Sequence, residues 1–335
     1  MKSLSWFFLL LLAYAISWLI WIISLLLGAG PGHNEYILAF GSAGPALAAI
    51  FLSRNGSGTI SDRLPARLFS FAVLWLFAGA IYVVHDRLRG IHPPASFRYY
   101  FFVALLAMLP AWILSGAFTR DRGVRELLET LVHPSNWPWQ AVAFFFFPAI
   151  LLIPASFANY FHGTVIRPEP HGTLWLSTAF GGVSFLSNFL FTAALEEPGW
   201  RGFLLPRLQQ RFSPLLASLF VWFFWALWHA PLDFSGGVGS SWRSYLLVRV
   251  IFLLSMTILF TWLYNRSGGN LLCVAIFHAA MNTFPFVLPY SPKALPLLFL
   301  FAVIIIYTDR MWRPRTEIST APHDSPSSPS ASATR

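Results

Sequence analysis

The chain has 335 residues, of which 56% are hydrophobic and only 10% charged, far below the roughly 25% charge of a soluble globular domain; water is not the main solvent for its surface. The formal charge of +9 raises nucleic acid as a partner, but the arginines lie in short segments between apolar runs and form no basic, aromatic-interleaved groove, which excludes that reading and fits the excess of cations on the cytoplasmic side of membrane proteins. The single cysteine, Cys273, excludes an internal disulfide and any cysteine-rich metal site.

Ten apolar runs predict helices over about 4–28, 36–53, 68–85, 99–118, 139–160, 173–195, 214–231, 245–264, 271–290 and 294–309. Runs of about 18 to 25 such residues cross a hydrocarbon core of about 30 Å. The fold class expected is therefore all-α, a polytopic transmembrane bundle of about 8–10 spans around an intramembrane polar cavity. The first run follows Lys2, yet its apolar core is about twice the length of a signal-peptide core, so it is read as a retained anchor.

With a cytoplasmic N-terminus, alternate loops place Arg54, Arg63 and Arg67, then Arg120, Arg122 and Arg125, then Arg207 and Arg211, then Arg266, then Arg310, Arg313 and Arg315 inside, as the positive-inside rule asks. The segment with Arg87, Arg89 and Arg98 breaks the pattern. Residues 316–335, TEISTAPHDSPSSPSASATR, lack apolar periodicity and are expected to be a disordered tail. Three regions result: N-terminal helices of unassigned role over 1–135, a second helical region over 139–310, and the tail.

Most acidic residues fall in loops by this division, Asp86 and Asp233 among them; Glu196 and Glu197 alone adjoin the interior of a span. His229 and His278 also lie in or beside apolar segments. An ionisable group at membrane depth costs at least about 2.5 kcal/mol, so it is retained where it meets a partner or a wet cavity. The bland reading, polar contacts that only hold helices together, suits either histidine alone better than it suits four such groups in three successive spans.

Spacing sharpens the pattern. Glu197 and Arg201 are four apart in LEEPGWRGFL, about 40° around a helix, and can pair on one face. Glu196 points about 100° away and is free to serve as a base. Pro198 and Gly199 predict a kink or helix end at this point, followed by an interfacial amphipathic helix in GWRGFLLPRLQQRF. In FHAAMN, His278 and Asn282 share a face; two donors aimed at one point suit an oxyanion. WALWHAP places His229 at the end of a span.

In chain order EEPGWR, WALWH and HAAMN closely resemble the signature of the CPBP family, the membrane-embedded CAAX prenyl proteases and their bacterial relatives. That pattern is Glu-Glu-x-x-x-Arg, then Phe-x-x-x-His, then His-x-x-x-Asn. Glu196, Glu197 and Arg201 match the first piece, His278 and Asn282 the third, and His229 the second, with Trp225 in place of phenylalanine. The resemblance covers about residues 140–308. It implies a multi-pass intramembrane endopeptidase of the bacterial inner membrane, acting on a membrane-associated or prenylated protein or peptide. Glu196 would activate the attacking water with help from His229, His278 and Asn282 would hold the oxyanion, and Glu197 and Arg201 would support the site.

Peptide hydrolysis needs a base beside a water and donors beside the carbonyl, which these residue types supply. Ser255 and Cys273 lie in spans without an evident base partner. No cofactor is favoured. The alternative is zinc held by Glu196, His229 and His278, an open three-ligand set, although the compact His-Glu-x-x-His motif is absent. Two rivals stand outside catalysis. A transporter would show matching halves with paired broken helices, and no such duplication is visible; a non-catalytic peptide-binding or immunity protein would have no need for the full set.

Overall fold

A computed structural model describes residues 5–28, 39–55, 64–90, 96–168, 173–234 and 246–314. The tail expected to be disordered lies outside the described residues. Every apolar run of the sequence forms a helix. In chain order these are α1 (Ser5–Leu26), α2 (Ala39–Ser53), α3 (Leu64–Leu88), α4 (Phe97–Phe118), then, after one further helix, α6 (Trp137–Tyr160), α7 (Leu174–Gln209), α8 (Pro214–Trp228), α9 (Leu247–Arg266), α10 (Leu271–Phe286) and α11 (Ala294–Thr308). The described residues contain no strand, only an isolated antiparallel bridge between Ile166 and Tyr290.

Length divides these helices into two groups. Six helices, α1, α3, α4, α6, α7 and α9, are both long and apolar enough to span a bilayer; α2, α8, α10 and α11 have 10–17 residues. Of the short ones, α10 packs against α6, α7 and α9. Ten of the thirteen residues Leu271–Thr283 of α10 are buried, including Cys273, Phe277 and His278, so the apolarity of this stretch serves helix packing rather than lipid contact.

The extra helix, α5 (Arg122–Val132), was not expected, because its arginines read as a basic loop. Its apolar residues Val124, Leu127, Leu128 and Leu131 are buried and fall at the spacing of one helical face. Asp121 caps it, its carboxylate accepting from Val124 N–H at 3.1 Å, and also takes the Asn55 N–H at 3.2 Å, which ties α5 to the end of α2.

Helix α7 positions the acidic motif. Pro198 has no N–H to give and its ring crowds the carbonyl one turn back, yet the helix neither ends nor breaks. It widens into π-helical turns over Phe189–Ala193 and Pro198–Leu204, leaving one α-helical turn, Ala194–Glu197, between them. Such widenings absorb a lost hydrogen bond and recur at functional sites. The predicted interfacial helix over 199–212 is corrected accordingly: Trp200, Phe203, Leu204 and Leu205 are fully buried and belong to the continuation of α7 through Gln209.

Close packing explains Gly199. A Cβ there would lie 2.5 Å from the Pro45 Cβ and 2.6 Å from the Pro45 carbonyl oxygen, so α2 rests directly on the widened turn beside the two glutamates. On the other side α1 holds α8: the Tyr14 hydroxyl donates to the Phe224 carbonyl at 2.5 Å and the Trp18 indole N–H to the Trp228 carbonyl at 2.9 Å. Helices α1 and α2, to which the sequence gives no role, thus pack against the two helices that carry Glu196 and His229.

Candidate active site

The two glutamates face different partners, as their angular separation requires. Glu197 is fully buried and accepts from Arg201 Nη1 at 3.0 and 3.2 Å through its two oxygens. It also meets His278 Nδ1 at 2.6 Å, a contact the sequence did not announce. The Arg201 guanidinium is fully buried too. It lies over the Trp225 ring at 4.3 Å and the Phe260 ring at 4.1 Å, and its Nε and Nη2 have no hydrogen-bond partner among the described residues; the two ring faces are what meets that part of its charge. A buried ion pair is tolerated when its remaining groups are satisfied in this way.

Glu196 is 3% exposed. Its Oε2 accepts from the Trp225 indole N–H at 2.9 Å, while Oε1 has no hydrogen-bond partner among the described residues. His229 closes α8. Its Nδ1 lies 2.8 Å from the Trp225 carbonyl, and since a carbonyl only accepts, Nδ1 carries the proton and Nε2 is left for another partner. The His229 ring stands 5.9 Å from Trp225 and 4.9 Å from Trp228 between centroids. His278 packs edge-on against Trp225 and Phe260, each at 5.6 Å. One side chain, Trp225, therefore touches Glu196, Arg201, His229 and His278, which come from three helices.

Asn282 is separate. It is half-buried, one turn beyond His278, and lines a cavity of about 610 Å³ together with Thr283, Asn188, Ser184, His85 and Arg89. Glu196, His229 and His278 are not among the lining residues. The Asn188 amide donates to Thr283 Oγ1 and to the Ser184 carbonyl, both at 3.0 Å, and the Ser184 hydroxyl is buried without a partner among the described residues. Arg89, in the basic segment that breaks the charge pattern, thus lines this cavity. Asn188 was overlooked, although an amide in an apolar run eight residues before Glu196 is a readable signal.

Two carboxylates that the sequence placed in loops are buried. Asp86, near the end of α3, accepts from the Tyr99 hydroxyl at 2.9 Å. Asp233 takes both Nε and Nη2 of Arg249, the latter at 2.7 Å, and this pair fastens the turn after His229 to α9. Apolar flanks alone do not reveal such burial; the partner comes from a different helix. As to metal, among the described residues no three His, Cys, Asp or Glu side chains stand together as ligands would, the candidate set of Glu196, His229 and His278 included.

The fold and this cluster define a class: an all-helical, multi-pass membrane protein whose buried carboxylates and imidazoles converge where its helices meet. Residues 178–284 match the family of type II CAAX prenyl endopeptidases, Rce1-like. A protein of Methanococcus maripaludis described as CAAX prenyl protease 2 is 27% identical over 256 residues, 71% of this chain and 89% of that protein. The matched residues include Glu196, Glu197, Arg201, His229, His278 and Asn282, and both likenesses support the resemblance to the CPBP family of membrane peptidases.

Proposed function

We propose that the chain hydrolyses a peptide bond of a membrane-associated protein or peptide, with the lipid bilayer and that substrate as its partners and a prenylated CAAX-type end as the substrate feature suggested by the relative's description. The observation that carries this reading is the meeting of Glu196, His229 and His278 around Trp225, in a fold where ionisable groups at depth need a reason to be kept.

Glu196 is the base. Its unpartnered Oε1 takes a proton from the attacking water as the water oxygen bonds to the scissile carbonyl carbon, and the same proton is then delivered to the leaving amine. His229 assists through Nε2, which can accept from that water while Nδ1 stays bound to the Trp225 carbonyl. His278 and Asn282 are the oxyanion donors. His278 Nδ1 is held by Glu197, which leaves Nε2 as the ring position that faces the developing oxyanion. Asn282 acts from the wall of the cavity that it lines, and that cavity is the route for substrate.

Metal-free hydrolysis is the reading proposed, and zinc held by Glu196, His229 and His278 is the alternative that the test separates from it. The test uses purified full-length protein in nanodiscs and a fluorogenic farnesylated CAAX peptide. Cleavage by the native chain, its loss by at least about a hundredfold in Glu196→Gln, and indifference to a strong chelator are expected. Full turnover in Glu196→Gln would remove the base; loss with chelator and recovery with zinc would replace the mechanism by a zinc-dependent one.

A further inference from the structure

Position 225 holds tryptophan where the CPBP pattern has phenylalanine, and the substitution introduces one chemical group, an indole N–H. That N–H donates to Glu196 Oε2 at 2.9 Å in a buried setting. We infer that Trp225 is a positioning residue, whose indole N–H fixes the Glu196 carboxylate so that Oε1 faces the attacking water; this rests on the hydrolytic reading above.

The geometry separates three roles of the residue. Its backbone carbonyl receives His229 Nδ1, which any residue would provide. Its ring receives the Arg201 guanidinium at 4.3 Å and packs near Phe260 and His278, which a phenylalanine would provide in part. Only the bond to Glu196 requires the indole nitrogen. It also has no substitute nearby: Arg201 Nη1 is bound to Glu197, His278 Nδ1 is bound to Glu197, and no other described residue donates to Glu196.

A carboxylate held by one oxygen keeps a fixed plane and loses the freedom to rotate its second oxygen away from the reacting centre. Orientation of this kind bears on the chemical step, because a base misplaced by a fraction of an ångström loses reach to the proton. It bears little on substrate binding. The signature expected of Trp225 is therefore a change in kcat at nearly constant KM.

The decisive substitution keeps the shape and removes the N–H. Replacement of Trp225 by 3-benzothienylalanine, in which sulfur stands for the indole nitrogen, retains the bicyclic ring against Arg201 and Phe260. In full-length protein acting on the farnesylated peptide, kcat is expected to fall about tenfold to a hundredfold, the range for a hydrogen bond to a charged group, with KM within about twofold. Trp225→Phe should show the same split, and thermal unfolding of the benzothienyl protein should match the native chain.

A second readout does not depend on turnover. In protein labelled with ¹⁵N at the indole nitrogen, the Trp225 resonance, assigned by its loss in Trp225→Phe, is expected to move upfield in Glu196→Ala. Equal kcat in the benzothienyl and native proteins would overturn the inference and leave the hydrolytic reading standing. An indole resonance unmoved by Glu196→Ala would overturn it directly. A native chain that cleaves nothing while the resonance moves would overturn the hydrolytic reading, and the positioning role would fall with it.

Discussion

Helices α3 and α7 are both long and both apolar, yet they face different solvents. In α3 only 6% of the most apolar window is buried, and Leu68, Phe69, Val73 and Leu76 point outward, as a helix surrounded by lipid requires. In α7 the corresponding share is 44%, and the turn with Glu196 and Glu197 is enclosed entirely. The higher hydropathy belongs to the outer helix, 2.0 against 1.4. In a bilayer the lipid tails are as apolar as leucine, so hydropathy measures depth and not centrality; what marks the central helix is the polar group that only a protein interior can satisfy.

The largest effect that would sharpen this contrast comes from the α7 ion pair. Arg201→Ala leaves Glu197 with His278 alone and opens the space between Trp225 and Phe260. Breaking a fully buried pair by removing one partner costs about 3–5 kcal/mol, so a large fall in the thermal midpoint in nanodiscs is expected together with loss of turnover. An unfolding curve like that of the native chain would mean that α7 is no more interior than α3.

Asn282→Ala should act on rate and leave the fold alone. The residue is half-buried on a cavity wall, and removal of one oxyanion donor costs about 10²–10³ in kcat. Steady-state kinetics on the farnesylated peptide measures this directly. A variant that lost stability instead would place Asn282 among the packing contacts of α10 and break its assignment to the oxyanion.

Gly199→Ala reports on α2 rather than on chemistry. The added methyl meets the backbone of Pro45, which has no side-chain freedom to yield, and overpacking of this sort costs about 1–3 kcal/mol. The expected outcome is a lower unfolding midpoint with residual turnover, since Glu196 and Trp225 are untouched. Unchanged stability would show that the first two helices are not seated against the acidic turn.

Much of this arrangement was legible from residue order alone. The ten apolar runs and the Glu197–Arg201 pair follow from span length and helical periodicity. What escaped is tertiary in origin. The arginines of α5 hid an amphipathic face only eleven residues long; Pro198 signalled a break that the widened turns absorb; Asp86 and Asp233 were assigned to loops because Tyr99 and Arg249 reach them from other helices. Trp225 looked like a conservative aromatic exchange until its nitrogen had a partner, and no local pattern predicts which atom of an aromatic ring will face a carboxylate 29 residues away.

The smallest effect is expected on the lipid side. Phe69 on α3 is 73% exposed in the protein, so its ring neighbours are lipid chains, and Phe69→Leu exchanges one apolar surface for another in an apolar solvent. The change in stability should stay within about 0.5 kcal/mol, as for substitutions remote from packed or bonded groups, and turnover should match the native chain. The same exchange at Phe203 on α7, which is fully buried and carries the Arg207 guanidinium over its ring at 3.4 Å, removes a filled volume and a cation–π contact together. A ratio near one between the two losses, read by unfolding in nanodiscs, would erase the distinction between the outer and the central helix; a several-fold larger loss at Phe203 would establish that the interior of this bundle is packed against protein while α3 is packed against lipid.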